Sequence, residues 1–376
     1  MNIPKSALAV IVAAGLVGGV GKLAAKELKA SVHLPPKNNT VADGWVPFEK
    51  RVEEGTAGEV EIRVFLGGSL LGPKAASAGI RDGVVDLGYV ITGYHPAEFP
   101  HTALIGDMAA IGSDPVVVTA ATTELVFMQC QPCLAEYKAH GNVYTGTYAV
   151  PPMVLMSREM LNDPADLSGK KVRSAGGVWD RFAKSLGAVP VNVPSSEQYE
   201  AMSRGVIDAT LHVASSLVTY DLADLVTDVV PVRVGTYRAI NTFAFNPDSW
   251  AALTSEQRRV VLEAASDSNF DIAHGYKVTG AQAFQKSKAA GVRIQALTPA
   301  WQKAVDDFVV SEKSSLVTVG KEKRGVAETE AYIAKMSKLV AKWEAVYREL
   351  DGDIEAMKVR FRQDVVAKID PATYGL

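Results

Sequence analysis

Apolar positions along this chain alternate between two periods. "EVEIRVFL", residues 59–66, sets apolar residues against charged ones at every second position, as a half-buried strand does, whereas "VADGWVPFEKRVEE" spaces Val41, Trp45, Phe48 and Val52 along one helical face. Strand-like runs recur in "LKASVHL", "VRSAGG", "AVPVNV" and "VIDATLHV", with helical stretches between them. This alternation predicts an α/β fold. Two S/T-x-x-Q capping boxes, Ser195 with Gln198 and Thr254 with Gln257, predict helix starts. From Thr254 to about Ala290 the helical pattern runs without a proline, too long for an ordinary globular helix and suited to connecting two lobes. Beyond Pro299 the pattern is almost wholly helical to Val366.

One internal echo bears on architecture. Glu61 to Val90 runs strand, loop, helix and then Gly83-Val84-Val85-Asp86 into a strand; Ala188 to Val213 repeats that order around Gly205-Val206-Ile207-Asp208. The same unit in the same context implies two lobes built alike. Similar α/β lobes facing across a hinged cleft bind small molecules there.

Residues 1–25 follow another pattern: Lys5 precedes the uncharged run "ALAVIVAAGLVGGVG" and then small residues. That is the layout of a signal peptide cleaved between Gly21 and Lys26, and the run is short for a bilayer span of roughly 20 residues. No later segment reads as transmembrane, so the expectation is a soluble, exported protein with its leader removed. With 376 residues, 48% hydrophobic and 22% charged, the chain can bury a large core, and its formal charge of −3 argues against nucleic acid as a partner. The two cysteines, Cys130 and Cys133 in "QCQPCLAEY", favour a small structural disulfide in an exported protein over a redox pair. A helical stretch leads into the pair, where a thioredoxin-type site would place it at a helix start after a strand. Two cysteines and six scattered histidines make no metal site, and no cofactor motif is present.

"DLSGKKVRSAGGVWDRF" places Arg173 at the end of a short strand, before the Gly176-Gly177 turn and a helix that carries Trp179. Open α/β sheets bind ligands at such strand ends, and a guanidinium fork suits a carboxylate. An exposed arginine on an edge strand is the plainer alternative. Taken together in order, "VFLGGSLLG", "GIRDGVVDLGYVITGYHPAEFP", "DLSGKKVRSAGG" and "LGAVPVNVPSSEQYEAMSRGVIDA" resemble the solute-binding subunits (DctP-type, family 7) of tripartite ATP-independent periplasmic (TRAP) transporters, from Leu28 to Leu376.

The resemblance implies a hinged two-lobe binding-protein fold whose lobes exchange segments: residues 26–149 with about 239–280 in one lobe, and 150–238 with about 281–376, including the C-terminal helices, in the other. It implies a monomeric, non-enzymatic receptor that captures a small organic acid and delivers it to small and large membrane subunits. It assigns Arg173 to the ligand carboxylate. It also brings His33, Tyr89, Thr92, Tyr94 and His212 toward the cleft, with Trp179 as a wall and Asn246 either in the cleft or capping the helix after Pro247. Two departures matter. Met153 stands where sialic acid binders carry a further arginine, and Ile207-Asp208-Ala209-Thr210-Leu211 replaces the V-D-G-x-E of many members. Both point to a ligand smaller or more apolar than a polyhydroxylated sugar acid. The C-terminal "KWEAVYRELDGDIEAMKVRFRQDVVAKIDPATYG" is longer than in the dicarboxylate and sialic acid branches. The alternatives are an exported thiol oxidoreductase using the cysteine pair, a hydrolase, for which no G-x-S-x-G or H-E-x-x-H motif is present, and a ligand-sensing module for a membrane receptor.

Overall fold

The computed structural model describes residues 25–238 and 240–376. The expected signal peptide lies, apart from Ala25, outside them. Ten strands are found among the described residues: β1 (Lys26–Ser31), β2 (Val60–Phe65), β3 (Leu87–Ile91), β4 (Met153–Ser157), β5 (Lys171–Ser174), β6 (Val189–Asn192), β7 (Ala209–His212), β8 (Asp228–Val234), β9 (Ile240–Phe245) and β10 (Arg293–Ile294). They form two sheets, β2-β1-β3-β9 and β10-β8-β4-β7-β5-β6. The first is parallel apart from β9, and in the second β4 runs antiparallel to both its neighbours.

The sequence echo is a structural repeat. The order β2-β1-β3 in one lobe matches β6-β5-β7 in the other, with each G-V-[VI]-D unit turning into the third strand. Gly83 and Gly205 both sit at φ 70°, a left-handed conformation that glycine enters without a Cβ clash. The aspartates then clamp the neighbouring strand in the same way. Asp86 Oδ2 accepts from the Lys29 amide at 2.8 Å and Asp208 Oδ2 from the Lys171 amide at 2.8 Å, while their own amides donate to the Lys29 and Lys171 carbonyls at 2.9 and 2.8 Å. This register carries Arg173, two residues past Lys171, to the tip of its strand.

The chain passes from the first sheet to the second ahead of β4 and back between β8 and β9, and these two crossovers lie side by side through Val150 N to Tyr237 O and Met153 N to Gly235 O, both 3.2 Å. The expected long helix spans Ser255–Ala289 and touches elements of both lobes. Helix Pro299–Thr318 packs on β8 and on helix Val178–Ser185 of the second lobe. The expectation that all C-terminal helices lie with the second lobe does not match the packing: helices Thr329–Glu349 and Ile354–Asp364 lie against the first lobe and the long helix, and Glu124 accepts from Lys342 Nζ at 2.8 Å and Trp343 Nε1 at 2.6 Å. Among the described residues no helix is long and apolar enough to cross a membrane.

The two capping boxes diverge. Thr254 Oγ1 accepts from Gln257 N at 3.2 Å and Gln257 Oε1 from Thr254 N at 3.0 Å, as expected. At Ser195 the box does not form; a single 3₁₀ turn leads into helix Gln198–Ser203, and the serine is drawn into contacts across the cleft.

Cys130 and Cys133 are joined by a disulfide. The expectation that the pair follows a helix is half of the arrangement: helix Pro115–Glu124 does precede it, but Cys130 also caps a second helix, Gln131–Ala139, with its sulfur accepting from Cys133 N at 3.2 Å. A helix start favours a reactive thiolate, yet both cysteines are 0% exposed, which denies a dithiol partner access. The pair is a staple in the first lobe. Replacing both cysteines by serine is therefore expected to lower stability toward the small end of the roughly 0–5 kcal/mol disulfide range, because the loop is short. Urea melts read that loss, and calorimetry with a bound acid is expected to show unchanged affinity.

Candidate ligand-binding site

Strand β5 lies between β6 and β7, so their carbonyls flank the Arg173 side chain. Arg173 Nε donates to Val193 O at 2.8 Å and Nη1 to Leu211 O at 3.1 Å. These bonds orient the guanidinium without neutralising it. Two of its five N–H donors are spent on these carbonyls, the Tyr94 hydroxyl lies beside the guanidinium, and the Nη1/Nη2 end faces the cavity, where a planar acceptor fits. The side chain is 1% exposed. It lines a cavity between the lobes with Leu34, Tyr89, Ile91, Tyr94, Tyr148, Val150, Met153, Ala175, Ser195, His212, Val213, Tyr220, Tyr237, Ile240 and Tyr276, and among these described residues there is no carboxylate. A buried guanidinium without a counter-charge costs several kcal/mol. Burial pulls Arg173 below its ordinary pKa, against the neighbouring phenols of Tyr94, Tyr220 and Tyr237.

The tyrosine hydroxyls are occupied with one another and with polar groups behind them. Tyr89 and Tyr148 share a bond of 2.6 Å, Tyr148 and Thr40 one of 2.6 Å, and Thr40 and Tyr276 one of 3.0 Å. Tyr276 then donates to Asn38 Oδ1 at 3.1 Å, Asn38 Nδ2 to Tyr220 at 3.1 Å, and Tyr220 to Ser195 Oγ at 3.3 Å. Ser195 N completes the path by donating to the Tyr94 hydroxyl at 3.4 Å. The circuit runs from the first lobe through the long helix into the second lobe and back. Burial, then the neighbouring phenols, push Tyr89, Tyr148, Tyr237 and Tyr276 well above the usual phenol range, so all four stay neutral. With their hydroxyls engaged, these rings offer mainly apolar surface. The polar lining that remains is Arg173 and the half-buried imidazole of His212, whose Nδ1 is buried without a partner. Burial, and secondarily the Arg173 charge, hold His212 well below its ordinary pKa and therefore neutral.

Of the residues expected from sequence, Arg173, Tyr89, Tyr94 and His212 meet in this cavity. The others lie outside its wall. His33 is buried behind Tyr89, ring centroids 5.3 Å apart, and Thr92 is buried at 0% exposure. Trp179 donates from Nε1 to Val234 O at 2.9 Å and packs on Tyr237, so it supports a lining residue rather than serving as one. Asn246 is the N-cap of helix Pro247–Ala251, accepting from Asp248 N at 2.8 Å, and its Nδ2 donates to Ile80 O at 2.7 Å. The sequence reading missed Tyr148, Ser195, Tyr220, Tyr237 and Tyr276. One signal was available: the triplet Gly-Thr-Tyr occurs at 146–148 and again at 235–237, on the two crossover segments, and each copy delivers its tyrosine to the cavity.

Residues 31–311 match the model of the bacterial extracellular solute-binding proteins, family 7. The chain belongs to that family. A curated solute-binding protein of Albidiferax ferrireducens is 25% identical over 251 residues, 62% of this chain and 72% of that one. Among solved structures, a marine-metagenome TRAP solute-binding protein specific for aromatic acid ligands aligns with TM-score 0.75 at 21% identity, covering 84% of this chain and 99% of that one. A TRAP solute-binding protein from Rhodoferax ferrireducens, in complex with benzoate, aligns with TM-score 0.75 at 20% identity over 85% and 99%. This family 7 protein thus has the two-lobe fold of periplasmic transport receptors, and it is a receptor rather than an enzyme.

Burial lowers His33 to a pKa of about 4 from 6.5. The unfolded chain takes up this proton near its ordinary pKa and the folded protein does not, so stability is greatest above pH 6.5 and falls as the pH drops toward 4, by up to about 1.4 kcal/mol for each pH unit. Urea melts at pH 7 and pH 5 are expected to show a smaller pH loss in His33→Gln than in wild type. Equal losses in the two proteins would count against a buried neutral His33.

Proposed function

We propose that this family 7 protein is a periplasmic receptor that closes on a small monocarboxylate with a flat, apolar body and presents it to the membrane subunits of a TRAP transporter, after a signal peptide within residues 1–25 has directed its export. The observation that carries this reading is the buried Arg173 guanidinium, which lacks a carboxylate partner at the polar end of a tyrosine-walled cavity. A ligand carboxylate supplies the missing charge through two parallel bonds. The lining contains no second cation, which disfavours a dicarboxylate: its other carboxylate would be desolvated without compensation.

Size points the same way. The cavity leaves about 50 Å³ for the centres of water-sized spheres, where a single water needs roughly 10–15 Å³. A compact acid fits, and a sugar acid with many hydroxyls would find few free partners. The ring faces of Tyr89, Tyr148 and Tyr276, stacked in sequence with centroids 6.4 and 5.8 Å apart, suit an aromatic ring. Relatives support the class: besides the two proteins named above, a TRAP solute-binding protein of Bordetella bronchiseptica is seen with bound mandelate. His212 Nδ1, beside Arg173, is placed to bond a hydroxyl or the second carboxylate oxygen.

A thermal-shift screen of the mature protein against benzoate, hydroxybenzoates, phenylacetate, succinate and gluconate tests the class. A ligand at 100 times its dissociation constant adds about 2.7 kcal/mol of stability, and aromatic monocarboxylates are expected to give the large shifts. A shift with succinate alone would overturn the monocarboxylate reading. For the best ligand, Arg173→Ala is expected to cost roughly 2–5 kcal/mol of binding by calorimetry with an intact fold. Arg173→Lys is expected to recover only part of that, because an ammonium lacks the fork. Affinity within about twofold of wild type in Arg173→Ala would remove the arginine as anchor.

A further inference from the structure

Outside the cavity, a second set of charges spans the two lobes. Asp107 ends helix Pro100–Asp107 of the first lobe and is 2% exposed. Its Oδ1 accepts from Arg181 Nη2 at 3.1 Å, and its Oδ2 accepts from Arg324 Nε at 2.8 Å. Arg181 lies on helix Val178–Ser185, immediately after the Gly176-Gly177 turn that follows Arg173. Both nitrogens of its outer edge also bond Glu312, with Nε to Oε2 at 2.9 Å and Nη2 to Oε1. Glu312 is buried on helix Pro299–Thr318, which packs on the same lobe as Arg181. Glu312 therefore braces Arg181 within the second lobe, and Asp107 alone reaches it from the first. Gly177, at φ 56°, permits the approach, since a Cβ there would come within 3.0 Å of Asp107 Oδ1.

The location of this network matters. Asp107, Arg181 and Arg324 line a polar opening that shares Tyr94, Ala175 and Tyr237 with the ligand cavity, so those three residues separate the cavity from the opening. Gly93, beside Tyr94, has no Cβ and lets the Tyr237 hydroxyl close against it. The same backbone turn therefore joins the strand that delivers Arg173 to the helix that delivers Arg181. Separating the lobes at this mouth would break the pairing of buried Asp107 with Arg181 and leave Arg181 with a single partner. Breaking a buried pair in this way is costly.

Building on the reading of the cavity as the solute site, we infer that Asp107 is a positioning residue for solute retention: through Arg181 it locks the mouth between the lobes and so sets how often the cavity opens. It touches no ligand and acts only in the closed arrangement.

The test requires no acid ligand. Both native cysteines are in the disulfide, so Ser195→Cys introduces the only free thiol, on the cavity wall. Its modification by the uncharged reagent methyl methanethiosulfonate, followed by mass spectrometry, reports lobe opening. In that background Asp107→Asn is expected to raise the labelling rate at least about tenfold, as loss of one partner of a buried charge pair does. Arg181→Gln is expected to do the same from the other lobe, and serves if Asp107→Asn fails to fold. Glu312→Gln removes a bond of the same network that lies within one lobe, and is expected to leave the rate within about twofold. An unchanged rate in both Asp107→Asn and Arg181→Gln would overturn the lock. So would a rise in Glu312→Gln equal to theirs, since general loosening would then account for all three. Because the reagent carries no charge and no ring, either result is independent of whether the solute is an aromatic acid.

Discussion

A guanidinium buried with no carboxylate beside it organises this protein. Arg173 is oriented by two main-chain carbonyls, which are dipoles and cannot cancel a full charge. The described residues around it add phenols, the Ser195 hydroxyl, an imidazole kept neutral by burial, and apolar side chains, none of them a carboxylate. The site is thus complete in shape and incomplete in charge. On the proposed reading the solute supplies the balancing carboxylate, and binding is selective because no other group can. An acidic side chain in the wall would satisfy the arginine and abolish the site.

The hydroxyl circuit from Tyr89 to Tyr94 explains how a cavity with six tyrosines in its wall can still favour an apolar ligand. An unsatisfied buried hydroxyl is expensive, so each phenol must find a partner when the lobes meet. Here the circuit pairs the hydroxyls across the lobes, as Asn38 does with Tyr220. The same bonds that hold the lobes together withdraw the polar tips from the solute. Local structure gives way to this arrangement at Ser195, where a capping box legible in the sequence is not formed because the serine is bonded to Tyr94 and Tyr220 instead.

Cross-lobe contacts divide by chemistry. On the cavity wall they are neutral hydrogen bonds, which add no competing charge near Arg173, and the cross-lobe ion pair of Lys37 with Asp221 sits at the exposed surface beside Asn38 and Tyr220. At the mouth they are ionic, centred on Asp107, where Arg181 and Arg324 remain partly exposed and pay less desolvation. Placing Asp107 against Arg173 instead would have filled the site from within. The crossover segments, which carry Tyr148 and Tyr237, lie side by side and each places its tyrosine in the cavity wall.

Much of this was determined by sequence alone. Alternating periods specify an α/β chain, and the two G-V-[VI]-D units specify matching strand-turn-strand geometry, because the glycine conformation and the aspartate clamp are local and recur with their residues. Arg173 was legible for the same reason: its place at a strand tip follows from spacing to Lys171 and the glycine pair. Tyr220 and Tyr276, the inter-lobe role of Ser195 and the pairing of Asp107 with Arg181 were decided only by the tertiary structure, whereas Tyr148 and Tyr237 carry the repeated Gly-Thr-Tyr triplet. Residues 38, 148, 220 and 276 share no period and no motif, and they meet only because two crossovers and one long helix fold the lobes onto each other. Asn246 and Trp179 show the converse, since a residue type suited to a cleft is used for a cap or for packing when the backbone offers a nearer partner. Local conformation is set by a few neighbouring residues, whereas the chemistry of a cavity is set by which distant side chains leave one another satisfied.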